Sequence, residues 1–414
     1  MRNPPVISRT LLLTALISFL FLLAACAPGV GIFSSGAWQS GGLQHQHIRA
    51  LAVDPNNPQN IYAGDAQNGV FTSTDGGLHW SKHSAGLPAA TAIHALAFDD
   101  PGKKLYAATD AGVYITANAA QRWSAVPGLP ADSYTAIAFD LKAAQTLYVG
   151  TTHHGVLTSA NSGASWSAVQ AGLPADAMIN SLAFDSDAHQ LWAATGKGVF
   201  RSPDDGKNWQ ALNAGLPAGI NIFAVLPASI YGGDKSLVYL GTNQGFYRSQ
   251  DDAAHWGRSQ TPLMRVNIYA LLIDIHTIST VYIATNTAGV LRSNDSGQNW
   301  GAVAGGFPTN QPVYAIAQGA SDYGQLFAAA NDVYLFPGTS SAFDASHLIP
   351  LLLVVVLFYF LIRLTMRGRK SRRTILKPER IIESPNPERQ ESPPVEPRSR
   401  PVSKEGDTSN TVDS

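Results

Sequence analysis

The chain has 414 residues, 28 basic against 29 acidic side chains, a formal charge of -1, and 45 % hydrophobic positions. By region the balance is uneven: 26–362 carries 14 positive and 21 negative charges, a net of -7, all its negatives are Asp, and every Glu lies from Glu379 onward. That partition excludes one evenly composed domain, the acidic middle disfavours nucleic-acid binding, and the chain is read as three regions.

Residues 11–25, LLLTALISFLFLLAA, form an unbroken apolar run behind Arg2 and Arg9. This is the pattern of a secretory signal, so 1–25 are expected to direct export. The run ends in Leu23-Ala24-Ala25-Cys26, which resembles the lipobox of bacterial lipoproteins. That resemblance implies a diacylglycerol on the Cys26 sulfur and cleavage just before it, leaving 26–35 as a lipidated linker. The plainer alternative is an uncleaved signal anchor with an incidental cysteine. Cys26 is the only cysteine, so no intrachain disulfide can form.

From 36 to 336 the sequence repeats. One octet recurs as STDGGLHW (73–80), TANAAQRW (116–123), SANSGASW (159–166), SPDDGKNW (202–209), SQDDAAHW (249–256) and SNDSGQNW (293–300), with starts 43, 43, 43, 47 and 44 residues apart. Each copy lies between a segment such as LYAATDAGVY and one such as WSAVPGLP, followed by one such as IHALAFD. Alternating apolar and small residues predict strands of four to seven residues broken by Gly, Asn and Asp. Four short strands per period make the blade of a β-propeller.

The octets resemble the Asp-box, or bacterial neuraminidase repeat, of form Ser-x-Asp-x-Gly-x-x-Trp. Physically, Asp75 is placed to accept backbone N–H groups two or three residues on, with the Ser73 hydroxyl adding to the turn. Gly77 permits positive φ, and Trp80 is expected to return inward over the joint between blades. Ser73, Asp75, Gly77, Trp80, Trp123, Trp166, Asp204, Gly206, Trp209, Asp251, Trp256, Asp295, Gly297 and Trp300 are therefore read as structural. In the sialidases such boxes lie away from the active site. Asn118 and Ala120 in the second octet, and Ala253 in the fifth, depart from the form and predict looser turns.

The segment resembling Ile-x-Ala-Leu-Ala-Phe-Asp begins seven times, at Ile48, Ile93, Tyr134, Ile179, Ile222, Ile268 and Val313. After the last, QLFAAANDVYLFPG supplies two more strands without an octet, while GAWQSGGL (36–43) matches HWSKHSAGL (79–87), with Trp38 in the place of Trp80. The expected fold is all-β, a seven-bladed β-propeller over 36–336. Its last blade takes three strands from the C-terminal side and one from the N-terminal side, leaving no open edge. Since strands alternate in direction, both chain ends should leave from the octet face and turn it toward the membrane.

After a linker at 337–347, LIPLLLVVVLFYFLI (348–362) precedes Arg363, Arg367, Arg369, Lys370, Arg372 and Arg373. With Leu364 and Met366 the apolar stretch reaches 348–366, and Leu351 to Ile362 alone favour insertion by on the order of 5 kcal/mol, so one C-terminal transmembrane helix is expected. A buried globular helix is the alternative. The basic cluster places 367–414 in the cytoplasm, and this Pro-rich, charge-mixed tail is expected to be disordered. The localisation read from sequence is the cell membrane, with the propeller extracytoplasmic.

The opposite face is built from the connections after GLP and the second-to-third hairpins. One register position there reads Arg49, His94, Thr135, Asn180, Phe223, Tyr269 and Tyr314, changing in every blade beside flanks that hardly change. Such a ring at a channel mouth has the character of a binding site, with Arg49, His94, Asn180, Tyr269 and Tyr314 as ligand-binding candidates, although unconstrained variation gives the same pattern. His153, His154, Lys197, Asn243, Gln244 and Arg265 neighbour it.

Catalysis is less well supplied. Glycosidases need two carboxyl groups, or in sialidases a Tyr activated by Glu with an arginine cluster, and the repeat region has no Glu. Asp54, Asp99, Asp140, Asp185 and Asp274 recur at a strand end as turn residues, while Asp110, Asp132 and Asp176 fall on the outward side without a recognisable partner. No metal site is read: His45 and His47 would share a strand face without a third ligand, and His153 and His154 would point to opposite sides. No cofactor motif appears.

Residues 36–336 as a whole are similar to the photosystem II stability and assembly factor family of single seven-bladed propellers. That resemblance implies a binding module without chemistry that engages nascent membrane proteins. The C-terminal span and the scarcity of arginine depart from that family. The leading expectation is thus a membrane-anchored binding module for a protein or a cell-envelope glycan. A glycoside hydrolase of sialidase or xyloglucanase kind, and a surface receptor signalling through its tail, are the alternatives.

Overall fold

In the computed structural model, residues 36–338 are described, apart from 100–102, 144, 233, 235, 260–262, 264–265, 304 and 320–324. The signal segment, Cys26, the expected span at 348–366 and the tail lie outside these residues. No helix among the described residues is long and apolar enough to cross a membrane.

The alternating segments form seven four-stranded antiparallel sheets. Blade 1 comprises Ile48–Val53, Ile61–Asp65, Val70–Ser73 and Ser81–Lys82, from the channel outward, and blades 2 to 6 repeat this order. Blade 7 comprises Ala315–Gln318, Leu326–Ala329, Val333–Phe336 and, from the other end of the chain, Gln39–Ser40. Its innermost strand begins two residues after Val313, whose N–H instead donates to Thr285 of blade 6 (2.9 Å). Every outermost strand has only two residues, shorter than the alternation predicts. Short edges of this kind deny a template for pairing with another chain.

Closure of the ring rests on one buried carboxyl. Asp332 accepts the Leu43 N–H (2.7 Å) and its neighbour Val333 N–H (2.7 Å) on Oδ1, and the Ser40 hydroxyl (2.5 Å) on Oδ2. Gln39 pairs with Leu335 and Ser40 with Tyr334. Val333–Phe336 runs toward the octet face and Gln39–Ser40 away from it, so 36–38 and 337–338 both lie at that face.

The core is divided like the repeat. Seven buried clusters fill seven joints between blades, each with one octet-type Trp: Trp80 at joint 7/1, Trp123 at 1/2, Trp166 at 2/3, Trp209 at 3/4, Trp256 at 4/5, Trp300 at 5/6 and Trp38 at 6/7. Burying an indole of about 200 Å² contributes about 5 kcal/mol of transfer free energy. The indole N–H groups of Trp38, Trp123, Trp209 and Trp256 donate to carbonyls of the preceding blade, at Val303 (2.7 Å), His83 (3.0 Å), Val169 (2.9 Å) and Leu212 (2.7 Å). At Trp123 the approach is close enough to need glycine: Gly86 has φ 94°, and a Cβ there would sit 2.1 Å from the Trp123 carbonyl oxygen. Trp80 and Trp300 donate within their own octets, to Gly77 (3.1 Å) and Gly297 (3.2 Å), and the Trp166 indole N–H has no partner among the described residues.

Within an octet, the Ser73 hydroxyl donates to Asp75 Oδ1 (2.8 Å) and accepts the Gly77 N–H (2.8 Å). Asp75 Oδ1 also takes the N–H groups of Leu78 (3.2 Å) and His79 (2.9 Å), three and four residues on rather than two or three. Asp204, Asp251 and Asp295 accept the N–H four residues on in the same way. Of the two octets lacking glycine, the fifth keeps this turn, while the second keeps the Arg122 N–H bond to Asn118 Oδ1 (3.2 Å) without one from the Ala120 N–H to Thr116 Oγ1. Ala120 and Ala253 hold φ 64° and 64°, a strained backbone for alanine, with methyls buried in the joint. The Ala253 N–H still reaches Ser249 Oγ (2.9 Å), so the fifth turn is not the looser one its sequence predicts.

Candidate functional site

In blades 1 to 6 the register of the innermost strand slips at one residue, between Ile48 and Ala50, Ile93 and Ala95, Tyr134 and Ala136, Ile179 and Ser181, Ile222 and Ala224, and Ile268 and Ala270. The skipped residues are Arg49, His94, Thr135, Asn180, Phe223 and Tyr269. An extra residue in one strand re-aims its side chain. The varied register position is therefore the bulge position, and with Tyr314 it rings a cavity of about 330 Å³ at the channel mouth. Below lies an apolar tier that includes Leu51, Leu96, Ile137, Leu182 and Leu271.

The ring has two unlike halves. Across blades 5, 6, 7 and 1, Phe223 meets Tyr269 (ring centroids 5.1 Å apart), Tyr269 meets Tyr314 (5.4 Å), and the Arg49 guanidinium sits 5.2 Å from the Tyr314 ring centre. Among the described residues Arg49 has no hydrogen bond or ion pair, and its side chain is exposed. Across blades 3 and 4 the polar members are occupied. Thr135 donates to the Ile179 carbonyl, and Asn180 donates to Asn221 Oδ1 (2.8 Å) and the Ile222 carbonyl (2.8 Å). Both stitch one blade to the next.

In blade 2, His94 Nε2 lies 2.6 Å from Asp110 Oδ1, which also accepts the Ser133 hydroxyl (2.7 Å). Serine donates to the carboxylate rather than to the imidazole, so the trio is not an acyl-transfer relay. Burial pushes the Asp110 carboxyl up, but His94 and Ser133 outweigh it and hold the group below its ordinary range. Asp132, whose side chain is 1 % exposed, holds both neighbouring histidines, His153 Nδ1 at 3.0 Å and His154 Nδ1 at 2.7 Å. The two rings converge instead of pointing apart, because they sit in a hairpin turn where strand alternation does not operate. Desolvation raises Asp132, and bonds from His154, His153 and the His153 and Ser133 N–H groups overcome it, leaving the carboxyl well below its usual range. Asp176 is lowered by exposed Lys197, 3.1 Å away.

Other candidates are scaffold. Asn243 accepts the Asn221 N–H (3.1 Å) through its side chain, and the Gln244 N–H goes to Thr242 Oγ1 (2.9 Å). His45 lies in a left-handed turn (φ 66°), not on a strand face beside His47. Arg265 lies outside the described residues. Among the described residues no three His, Cys, Asp or Glu gather to hold a metal ion. The turn aspartates on the octet face accept backbone N–H groups, as Asp54 does from Asn56 (2.8 Å) and Asp185 from Ala188 (2.9 Å).

No family model and no curated protein matches this chain. Solved structures do. YCF48 bound to D1 peptide superposes with TM-score 0.58 at 18 % identity, covering 74 % of this chain and 98 % of that one. An extracellular domain assigned to the hybrid two component system BT4673 of B. thetaiotaomicron gives 0.58 at 16 %, over 72 % of this chain and 39 % of that one. The GH74 xyloglucanase from Xanthomonas campestris gives 0.57 at 15 %, over 74 % and 54 %. This chain thus spans well under two thirds of the latter two. At such identities the likeness shows the fold, a seven-bladed propeller.

Proposed function

We propose that the chain is a membrane-tethered, extracytoplasmic propeller acting as a binding or assembly module, with a protein or cell-envelope glycan held at the channel mouth on the face away from the membrane. The observation that carries this reading is the arc Phe223, Tyr269, Tyr314 and Arg49 around the cavity, whose one cation has no counter-ion among the described residues. Aromatic and arginine side chains around a concavity have the composition of a binding hot spot. The tether rests on the apolar runs at 11–25 and 348–366 and on Cys26, with both described ends at the octet face. A propeller neighbour solved with a bound peptide supports a protein ligand.

The glycoside-hydrolase reading draws on the octets' resemblance to the Asp-box and on the xyloglucanase likeness. A general acid needs a raised pKa, whereas Asp110, Asp132 and Asp176 are all lowered. Photocrosslinking in cells tests the proposal, with a benzophenone amino acid at position 269 or 314 and, as control, at position 141 on the octet face. Adducts are expected from the channel mouth. Adducts from 141 alone, or turnover of xyloglucan or sialosides by the full chain, would overturn the reading.

A further inference from the structure

We infer that the channel mouth selects a peptide carboxylate flanked by an apolar side chain, with Arg49 as the anchor. This rests on the binding reading above and names its ligand class. A guanidinium laid against a tyrosine ring keeps its N–H edge free for planar, bidentate acceptors, for which a carboxylate is the matching shape. Arg49 lies against Tyr314 in this way, exposed and without a counter-ion among the described residues.

The surroundings narrow the class further. Carboxylates of the same face are spoken for: Asp110 by His94 and Ser133, Asp132 by His153 and His154, and Asp176 by Lys197. The remaining carboxylates of this face among the described residues are buried and engaged too, Asp65 by the His47, Gln67 and Asn68 N–H groups and Asp332 by Ser40 and Leu43, while the octet turns hold their own aspartates on the far face. Beneath the guanidinium the wall changes from Tyr269 and Tyr314 to Leu51 and Leu271. A ligand group entering past Arg49 therefore leaves water for aliphatic surface, at about 25 cal/mol gained per Å². About 330 Å³ admits a chain segment of one or two residues and no folded partner. Of the cavity's hydroxyl and amide groups, Thr135 and Asn180 are already bonded to the next blade, so its polar half adds no free donor to Arg49 and the remaining hydroxyls of the lining are those of Ser181, Tyr269 and Tyr314. An acidic side chain and a free chain terminus offer the same carboxylate.

The test passes a randomised heptapeptide library over immobilised full-length chain in detergent micelles, with bound peptides sequenced by mass spectrometry. Half of the library carries amidated termini, and polygalacturonate serves as a competitor. Wild-type chain is expected to enrich Asp or Glu next to apolar residues, or free over amidated termini, by tenfold or more. These two patterns distinguish side chain from terminus. Arg49→Gln is expected to abolish the enrichment with an unchanged melting temperature, and Arg49→Lys to restore only part of it. Retention by wild type without carboxylate preference, or equal enrichment by Arg49→Gln, overturns the inference and leaves the binding module standing. Displacement by polygalacturonate at lower concentration than by peptide overturns it in favour of an acidic glycan. No retention at all overturns both.

Discussion

Replacing Asp332 with alanine should open the ring at blade 7. Asp332 is 1 % exposed and supplies the acceptors for the Leu43 and Val333 N–H groups and for the Ser40 hydroxyl. Each buried donor left without a partner costs about 1–3 kcal/mol. Two backbone donors at that cost and about 1 kcal/mol for the hydroxyl put the loss at roughly 3–7 kcal/mol, a drop of roughly 6–14 °C for a domain of this length. Asp332→Asn keeps one carbonyl acceptor and should lose about half as much, and Ser40→Ala about 1 kcal/mol. The distinguishing readout is local. Hydrogen exchange in Asp332→Ala should accelerate first in 39–43 and 333–336, because only two residues of the outermost strand pair there. An unchanged melting temperature, or exchange that rises equally in all seven blades, would refute the latch.

Three further outcomes follow from the geometry. Trp123→Phe should cost about 1 kcal/mol more than Trp166→Phe, since only the former gives up an indole bond across a joint, as thermal or denaturant melts would show. Asn180→Ala should destabilise by about 1–2 kcal/mol while leaving crosslinking from the mouth intact, whereas Tyr269→Ala should cut the crosslink yield several-fold; the reverse would mean the two halves of the ring have been assigned wrongly. Asp75, Asp251 and Asp295 are held at about 2, against an ordinary 3.8, by bonds from His79, His255 and Asn299 that outweigh desolvation. Their folded-state values are depressed, so their contribution is full above pH 4 and is lost as pH falls toward 2. Melts that stay flat from pH 4 to 2 would count against it.

Blade number and ring closure were legible because their signals are local and repeated. Trp38 standing where Trp80 stands is enough to show which end supplies the missing strand. The varied register position was legible too, but not its division. Thr135 and Ile179 are 44 residues apart and meet only once two blades are side by side. The same limit hid the Asp132 clamp, where alternation was assumed for His153 and His154 though they belong to a turn. At Ala253 propensity pointed to a loose turn, and burial of the methyl in the joint overrode it. What escaped the sequence is thus set by neighbours half a period or a whole period away.

The charge of the middle region can now be placed. The octet aspartates and the first-turn aspartates lie on one face, while on the other face each exposed carboxylate is engaged by histidine or lysine and Asp65 and Asp332 are buried. With histidine counted as neutral, Asp65, Asp110, Asp132, Asp176 and Asp332 on that other face outnumber Arg49 and Lys197 among the described residues, so both faces share in the net of -7 over 26–362. An anionic ligand approaching Arg49 meets carboxylates that already accept hydrogen bonds, Asp110 from the Ser133 hydroxyl and Asp132 from the Ser133 and His153 N–H groups. If the octet face is also the one that the proposed anchors turn toward the membrane, its aspartates repel any anionic headgroups within a Debye length of about 8 Å. Linkers of about ten residues reach roughly 30 Å when extended, enough to let the propeller stand clear of the lipid. On the proposed tethering the acidic, turn-lined face is the one held toward the bilayer and the channel mouth is the one left to meet a partner, so crosslinks from position 269 or 314 and none from position 141 are the outcome that the arrangement requires.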